Sequence, residues 1–241
     1  MSLAATYRLG LHLFWRDRAM LAGSVVTPVA IAVGIPLLMR NVRADGIAAA
    51  TDSFYGSTAL LLSITAFMNL AVVLTGRRDQ LVLKRLRSTR LTDAQILVGE
   101  IASTVTATLG LLLACLLAVH AAADVPLPPD PVAFAGFAFL GALTMAVLGA
   151  AWTAAIPRAE LAAAMTVPVF LLCGVGAGAM GPIAALLPSW AGVLFDLLPT
   201  TAAARAMRTG EVAGPLVNLA LWLAAGLGAL RLWFRWEPRR S

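Results

Sequence analysis

The stretch GRRDQLVLKRLRSTRLTD, Gly76–Asp93, carries six basic residues and lies between two apolar segments that are each long enough to cross a bilayer. Arg77, Arg78, Lys84, Arg85, Arg87 and Arg90 cannot rest in hydrocarbon, where each would cost about 2.5–3.5 kcal/mol on insertion scales. The loop is therefore expected in the cytoplasm, and it orients the segments around it. The whole chain agrees with a membrane setting. Its residues are 60% hydrophobic and 12% charged, with a mean hydropathy of +0.87, against roughly 25% charge in a soluble domain. The sequence reads as an all-α integral membrane protein.

A spanning helix needs about 20 mostly apolar residues at a rise of about 1.5 Å each. Six segments meet that length: Met20–Met39, Phe54–Thr75, Ile96–Val119, Val132–Ile156, Leu161–Met180 and Leu216–Phe234. An even number places both termini on one side. With the termini cytoplasmic, fourteen basic residues fall inside and four, Arg40, Arg43, Arg205 and Arg208, outside, as the positive-inside rule asks. Trp15, Trp152, Trp233 and Trp236 then fall near the inner interface and Tyr55 near the outer one. The apolar run that begins near Met20 is too long for a signal-peptide core, and no convincing cleavage site follows it, so it is kept as a span. Before it, Leu3, Tyr7, Leu11 and Phe14 recur at helical spacing, which predicts an interfacial helix over residues 1–18.

Between the fifth and sixth spans, Ile183–Leu187 and Ala191–Leu198 are apolar pieces bounded by Pro188 and Pro199. Both are too short to cross. They are expected as short helices that dip into the outer leaflet or pack over the bundle, with their backbone groups bonded internally. No repeat, linker or soluble domain interrupts the chain, so residues 1–241 form one membrane domain. The preponderance of Arg, with Lys84 as the single lysine, hints at a GC-rich bacterial genome, and the expected location is a bacterial inner membrane.

Several function classes are disfavoured. The net charge of +6 suggests nucleic acid only on a folded basic face, whereas these charges punctuate apolar segments and suit anionic lipid and a cytoplasmic partner better. Cys115 and Cys173 lie in apolar runs without a neighbouring Cys/His cluster, so neither a disulfide framework nor a metal site is read. The string GAGAMG, Gly176–Gly181, matches a dinucleotide fingerprint in letters alone, because no strand precedes it. It is expected to serve close helix packing, with Gly174 and Gly178 as a G-x-x-x-G pair. Lys84 follows Leu83 rather than a glycine-rich loop, so no P-loop is present and ATP hydrolysis needs another chain. A lipid-modifying enzyme or an ion-coupled carrier would require ionisable groups at mid-membrane, and the spans offer few. Glu100, near the start of the third span, is expected to reach interface water or to pair with the basic cluster. A channel or an assembly protein stays open as an alternative.

Charge alone sets topology; the pattern adds more. Val82, Leu83 and Leu86 can form one face of a short helix with Arg78, Lys84, Arg85 and Arg87 over the rest, which suits a docking element. At these residues the chain resembles the ABC-2 type permease family, the membrane subunits of ATP-binding-cassette exporters. That family commonly reads E-x-G-T-L-K-R-L-R-x-T-P-L after its second span. Here Asp79 takes the acidic place, and Leu83, Lys84, Arg85, Leu86, Arg87, Ser88, Thr89 and Leu91 follow in register. Leu81 and Val82 stand where the family has Gly-Thr, and Arg90 where it has proline. A second likeness lies in Leu187–Pro188–Ser189–Trp190 and Leu198–Pro199–Thr200–Thr201 before the last span.

The resemblance implies two permease chains, identical or paralogous, around a central path, each resting on a cytoplasmic ATPase subunit that binds ATP and Mg. The permease itself would be non-catalytic and bind no cofactor. It implies that Asp79, Lys84, Arg85, Arg87 and Arg90 form the ATPase-coupling helix. Spans two and five would face the path, with Phe67, Met68, Asn69, Phe170 and Leu171 as lining residues. Such an apolar lining suits export of an amphipathic or hydrophobic compound.

Overall fold

The computed structural model describes residues 25–44, 47–82, 92–179 and 188–234. The described residues are helical apart from connecting turns and a two-residue antiparallel pair, β1 (Arg43–Ala44) with β2 (Ile47–Ala48). The helices are α1 (Thr27–Met39), α2 (Ala49–Asp79), α3 (Asp93–Ala123), α4 (Pro131–Trp152), α5 (Ala162–Gly176, entered by a 3-10 turn at Ala159–Leu161), α6 (Ser189–Asp196), α7 (Pro199–Thr209) and α8 (Ala213–Trp233). Five stretches, α2, α3, α4, α5 with its 3-10 turn, and α8, are long and apolar enough to cross a membrane. α1 is the described part of the first expected span, whose opening residues lie outside the described set, as does the interfacial helix expected over 1–18. The protein is thus an all-α, multi-pass membrane protein.

Helix ends differ from the expected spans because hydropathy marks hydrocarbon while hydrogen bonding sets the helix. α2 starts five residues before Phe54 and runs on through Arg77, Arg78 and Asp79. α3 starts at a capping box: Thr92 Oγ1 accepts from the Gln95 N–H at 3.3 Å and Gln95 Oε1 from the Thr92 N–H at 3.0 Å. α4 starts where Asp130 Oδ1 accepts from the Val132 and Ala133 N–H groups, with Pro131 in the first turn. It stops at Trp152, since Pro157 lies ahead and residues 153–156 form turns, so the apolar run to Ile156 outlasts the helix.

α2 is the axis of the bundle. Its most apolar window is 72% buried, against 22% for α5 and 17% for α8, whose free faces meet lipid or protein. Phe54, Leu61, Leu62, Leu70 and Leu74 of α2 pack with Ile96, Leu112 and Leu116 of α3, Met145 of α4 and Met207 of α7. Gly149 admits this packing: a Cβ there would collide with the Phe67 carbonyl. Tyr55, expected near the outer interface, is buried in the bundle with its ring edge-on to Phe54 at 5.5 Å. The helix turns its ring inward rather than outward.

The expected G-x-x-x-G pair is also revised. Gly178 does not lie on a helix face; it has φ +75° in the turn that ends α5, with open space beside it. The packing glycine is Gly176, against which Phe195, Leu198 and Thr201 close.

α6 and α7 form a hairpin that dips between the spans. The Leu197 carbonyl at its tip accepts from Asn218 Nδ2 at 2.9 Å and Trp222 Nε1 at 2.7 Å. Those donors lie five and nine residues into α8, about 7 and 13 Å along its axis. The piece expected at Ile183–Leu187 lies outside the described residues.

Candidate functional site at the foot of the second span

The basic cluster divides into two parts. Arg77, Arg78 and Asp79 form the last turn of α2, and Leu81 then takes φ +57°, a left-handed conformation that ends the helix and turns the chain away. Leu81 occupies the position where the resembled family has glycine. Lys84, Arg85, Arg87 and Arg90 lie outside the described residues.

Arg78 is not on the solvated face of a docking helix, where its charge would suggest. It is 1% exposed. Its Nη1 donates to the Thr153 carbonyl at 3.1 Å, and Nη2 donates to the carbonyls of Ile156 at 3.0 Å and Pro157 at 3.3 Å. Its Nε donates to Asp79 Oδ1 at 3.2 Å. The other carboxylate oxygen of Asp79 accepts the Ala159 N–H at 2.6 Å. A planar guanidinium supplies several donors at fixed angles, which is what three converging carbonyls and a carboxylate require. The carbonyls that follow the end of α4, left without helical partners, are thereby satisfied by α2.

On its other side the foot grips α3. Arg77 Nη1 pairs with Glu100 Oε1, and Glu100 is 4% exposed. Of the two roles expected for Glu100, pairing with the cluster is the one adopted. Three segments, α2, the start of α3 and the α4–α5 connection, are joined here by charge-assisted hydrogen bonds. The site brings together no nucleophile and base among the described residues. Among the described residues no three His, Cys, Asp or Glu side chains lie together so as to hold a metal.

At the opposite end, Arg208 Nη1 of α7 lies 2.9 Å from Asp52 Oδ1 of α2, and Arg205 pairs with Asp196 across the hairpin. His120 Nδ1 lies 2.8 Å from the Val125 carbonyl, a local contact at the end of α3.

Two cavities flank α2. The larger, about 690 Å³, is lined by Phe67, by Leu148 and Trp152 of α4, Cys173 of α5, Pro199 at the hairpin and Trp222 of α8 among others. The smaller, about 330 Å³, lies between α2, α3 and Val25, just before α1, and includes Thr65, Asn69, Thr104 and Thr108. The candidate path residues are thus dispersed. Phe67 faces the larger cavity, with its ring 6.0 Å from that of Trp152, and Asn69 faces the smaller. Met68 is half-buried against the core, Phe170 is half-buried on α5, and Leu171 is 41% exposed.

Sequence reasoning gave no role to Trp222, Asp52 or the carbonyls of Thr153, Ile156 and Pro157, and gave Trp152 only a place near the inner interface. The signal for Arg78 was its place in the helical continuation of span two. That for Thr65 and Asn69 was their shared face four residues apart.

Residues 3–212 match the ABC-2 type transporter family, a range that takes in α1 through α7 and the foot of α2. No curated protein matches the sequence. With a family match over most of its length and a multi-pass helical bundle to carry it, the chain belongs to the ABC-2 type transporter family and is a membrane subunit of an ABC-type transporter.

Proposed function

We propose that this chain is the permease subunit of an ATP-driven exporter, working as one member of a pair of permease chains with a separate ATPase that binds ATP and Mg. The observation that carries the reading is the foot of α2. The chain leaves that foot at Leu81 and enters the basic segment of Lys84, Arg85, Arg87 and Arg90. A push delivered to this segment arrives where Arg77 holds α3 and Arg78 and Asp79 hold the α4–α5 connection. Nucleotide-driven approach of the ATPases would move these segments together, tilting the bundle so that a cavity changes sides. The basic end of the bundle is cytoplasmic in this reading, as the charge asymmetry favours.

Asp79 has a structural duty in addition to any docking one, since both of its carboxylate oxygens are engaged within the chain. The docking contacts are assigned to Lys84, Arg85, Arg87 and Arg90. The apolar lining of the 690 Å³ cavity supports an amphipathic or hydrophobic cargo, and its size falls in the range of about 300–1,000 Å³ common to small-molecule sites.

The test is reconstitution with the co-purifying ATPase. Combined alanine replacement of Lys84, Arg85 and Arg87 is expected to lower transport-coupled ATP hydrolysis about tenfold, the equivalent of about 1.4 kcal/mol of coupling, with membrane insertion unchanged. Undiminished coupled hydrolysis, or uphill transport by the permease alone, would overturn the reading.

A further inference from the structure

The smaller cavity is not explained by energy coupling. α2 departs from α-helical winding at Ser63–Met68, a π segment in which the Asn69 N–H donates to the Ile64 carbonyl five residues back. Thr65 and Asn69 line the 330 Å³ cavity on one side of α2, while Phe67 lines the larger cavity on the other. The height of the cavity follows from the Arg77–Glu100 pair, which fixes the register of α2 against α3. Asn69 lies eight residues from Arg77 and Thr108 eight from Glu100, each about 12 Å along its helix. The two therefore stand level, well inside the spans, with Thr104 one turn closer to the ion pair.

Both residues are buried. Thr108 is 1% exposed, and its Oγ1 forms no hydrogen bond among the described residues. Asn69 is 9% exposed, and its side chain lines the same cavity. Polar groups withdrawn from water are nearly always hydrogen-bonded, so the unpartnered Thr108 hydroxyl, on one roomy cavity with the Asn69 amide, calls for an occupant. An Asn amide and a Thr hydroxyl donate and accept without carrying charge. The nearby charges, Arg77 and Glu100, neutralise one another two turns away. Ala107, Leu111 and Ala114 supply an apolar wall. The volume is at the small end of ligand sites.

We propose that the cavity between α2, α3 and Val25 is a binding site for a small neutral amphiphile whose hydroxyl or amide group hydrogen-bonds to Asn69 and Thr108. The site is separate from the larger cavity and does not depend on the exporter reading, because occupancy can be measured without transport.

The test uses the full chain in phosphatidylcholine nanodiscs, carrying Cys115→Ala, Cys173→Ala and Thr104→Cys, with N-ethylmaleimide as the reagent. Protection is compared for n-octanol, octyl sulfate and octyltrimethylammonium at matched membrane partitioning. n-Octanol is expected to slow labelling about fivefold and the charged analogues less than about twofold, the scale of one hydrogen bond. Asn69→Leu with Thr108→Val is expected to abolish that protection while leaving the unprotected rate unchanged. Asn69→Ala alone is expected to lose it as well, so the outcome does not hang on the folding of one variant. Absence of labelling, equal protection by all three compounds, or protection that survives loss of Asn69 would overturn the proposal.

Discussion

At the residue scale, Arg78 shows how little the charge of a side chain says about its surroundings. It belongs to a cluster whose sign sets topology, yet it is the largest of the fully buried side chains, and its charge is spread over three carbonyls and Asp79. Arg78→Ala would leave those acceptors without their donor. It is expected to lower stability by roughly 2–4 kcal/mol, measured as a fall in Tm in detergent. Arg78→Lys should rescue only part of this, because an ammonium cannot reach diverging acceptors as a guanidinium does. Leu81 gives the opposite sign. A non-glycine residue in the left-handed region is disfavoured by about 1–2 kcal/mol, so Leu81→Gly is expected to raise Tm in the same assay. A lower Tm would show that the Leu81 side chain, 42% exposed, makes a contact worth more than the backbone strain.

At the element scale, the decisive contact is between α2 and α4. Gly149 lets α4 rest directly on the backbone of the π segment at Phe67. Gly149→Val is expected to force the helices apart and destabilise the protein by about 1–3 kcal/mol, as overpacking does. Gly110→Ala on α3, where a Cβ meets open space, should stay within about 0.5 kcal/mol. Equal Tm values for the two variants would contradict the packing described here. Helix existence was legible because each long helix carries an apolar run. The π segment was not, because no composition rule marks where i→i+5 bonding replaces i→i+4. The hairpin was partly legible from Pro188 and Pro199, but its depth depends on Asn218 and Trp222, about twenty residues further along the chain.

At the scale of the whole molecule, the charge asymmetry yields a direct measurement. A cysteine at Leu127, 52% exposed between α3 and α4, is expected to react with a membrane-impermeant maleimide in intact cells. One at Arg158, between α4 and α5, should react only after permeabilisation. The reverse pattern would invert the molecule and with it the proposed docking side. What the sequence by itself determined was the helical membrane class, the apolar segments and the family likeness. Transfer free energy is a property of a segment's own composition, and a motif is a property of adjacent residues. What only the tertiary structure decided was that Arg77 meets Glu100, that Arg78 closes over the end of α4, and that Phe67 and Asn69 look into different cavities. Each depends on residues distant in the chain, and on a π turn that sets the facing of α2, so each is fixed only when the helices pack.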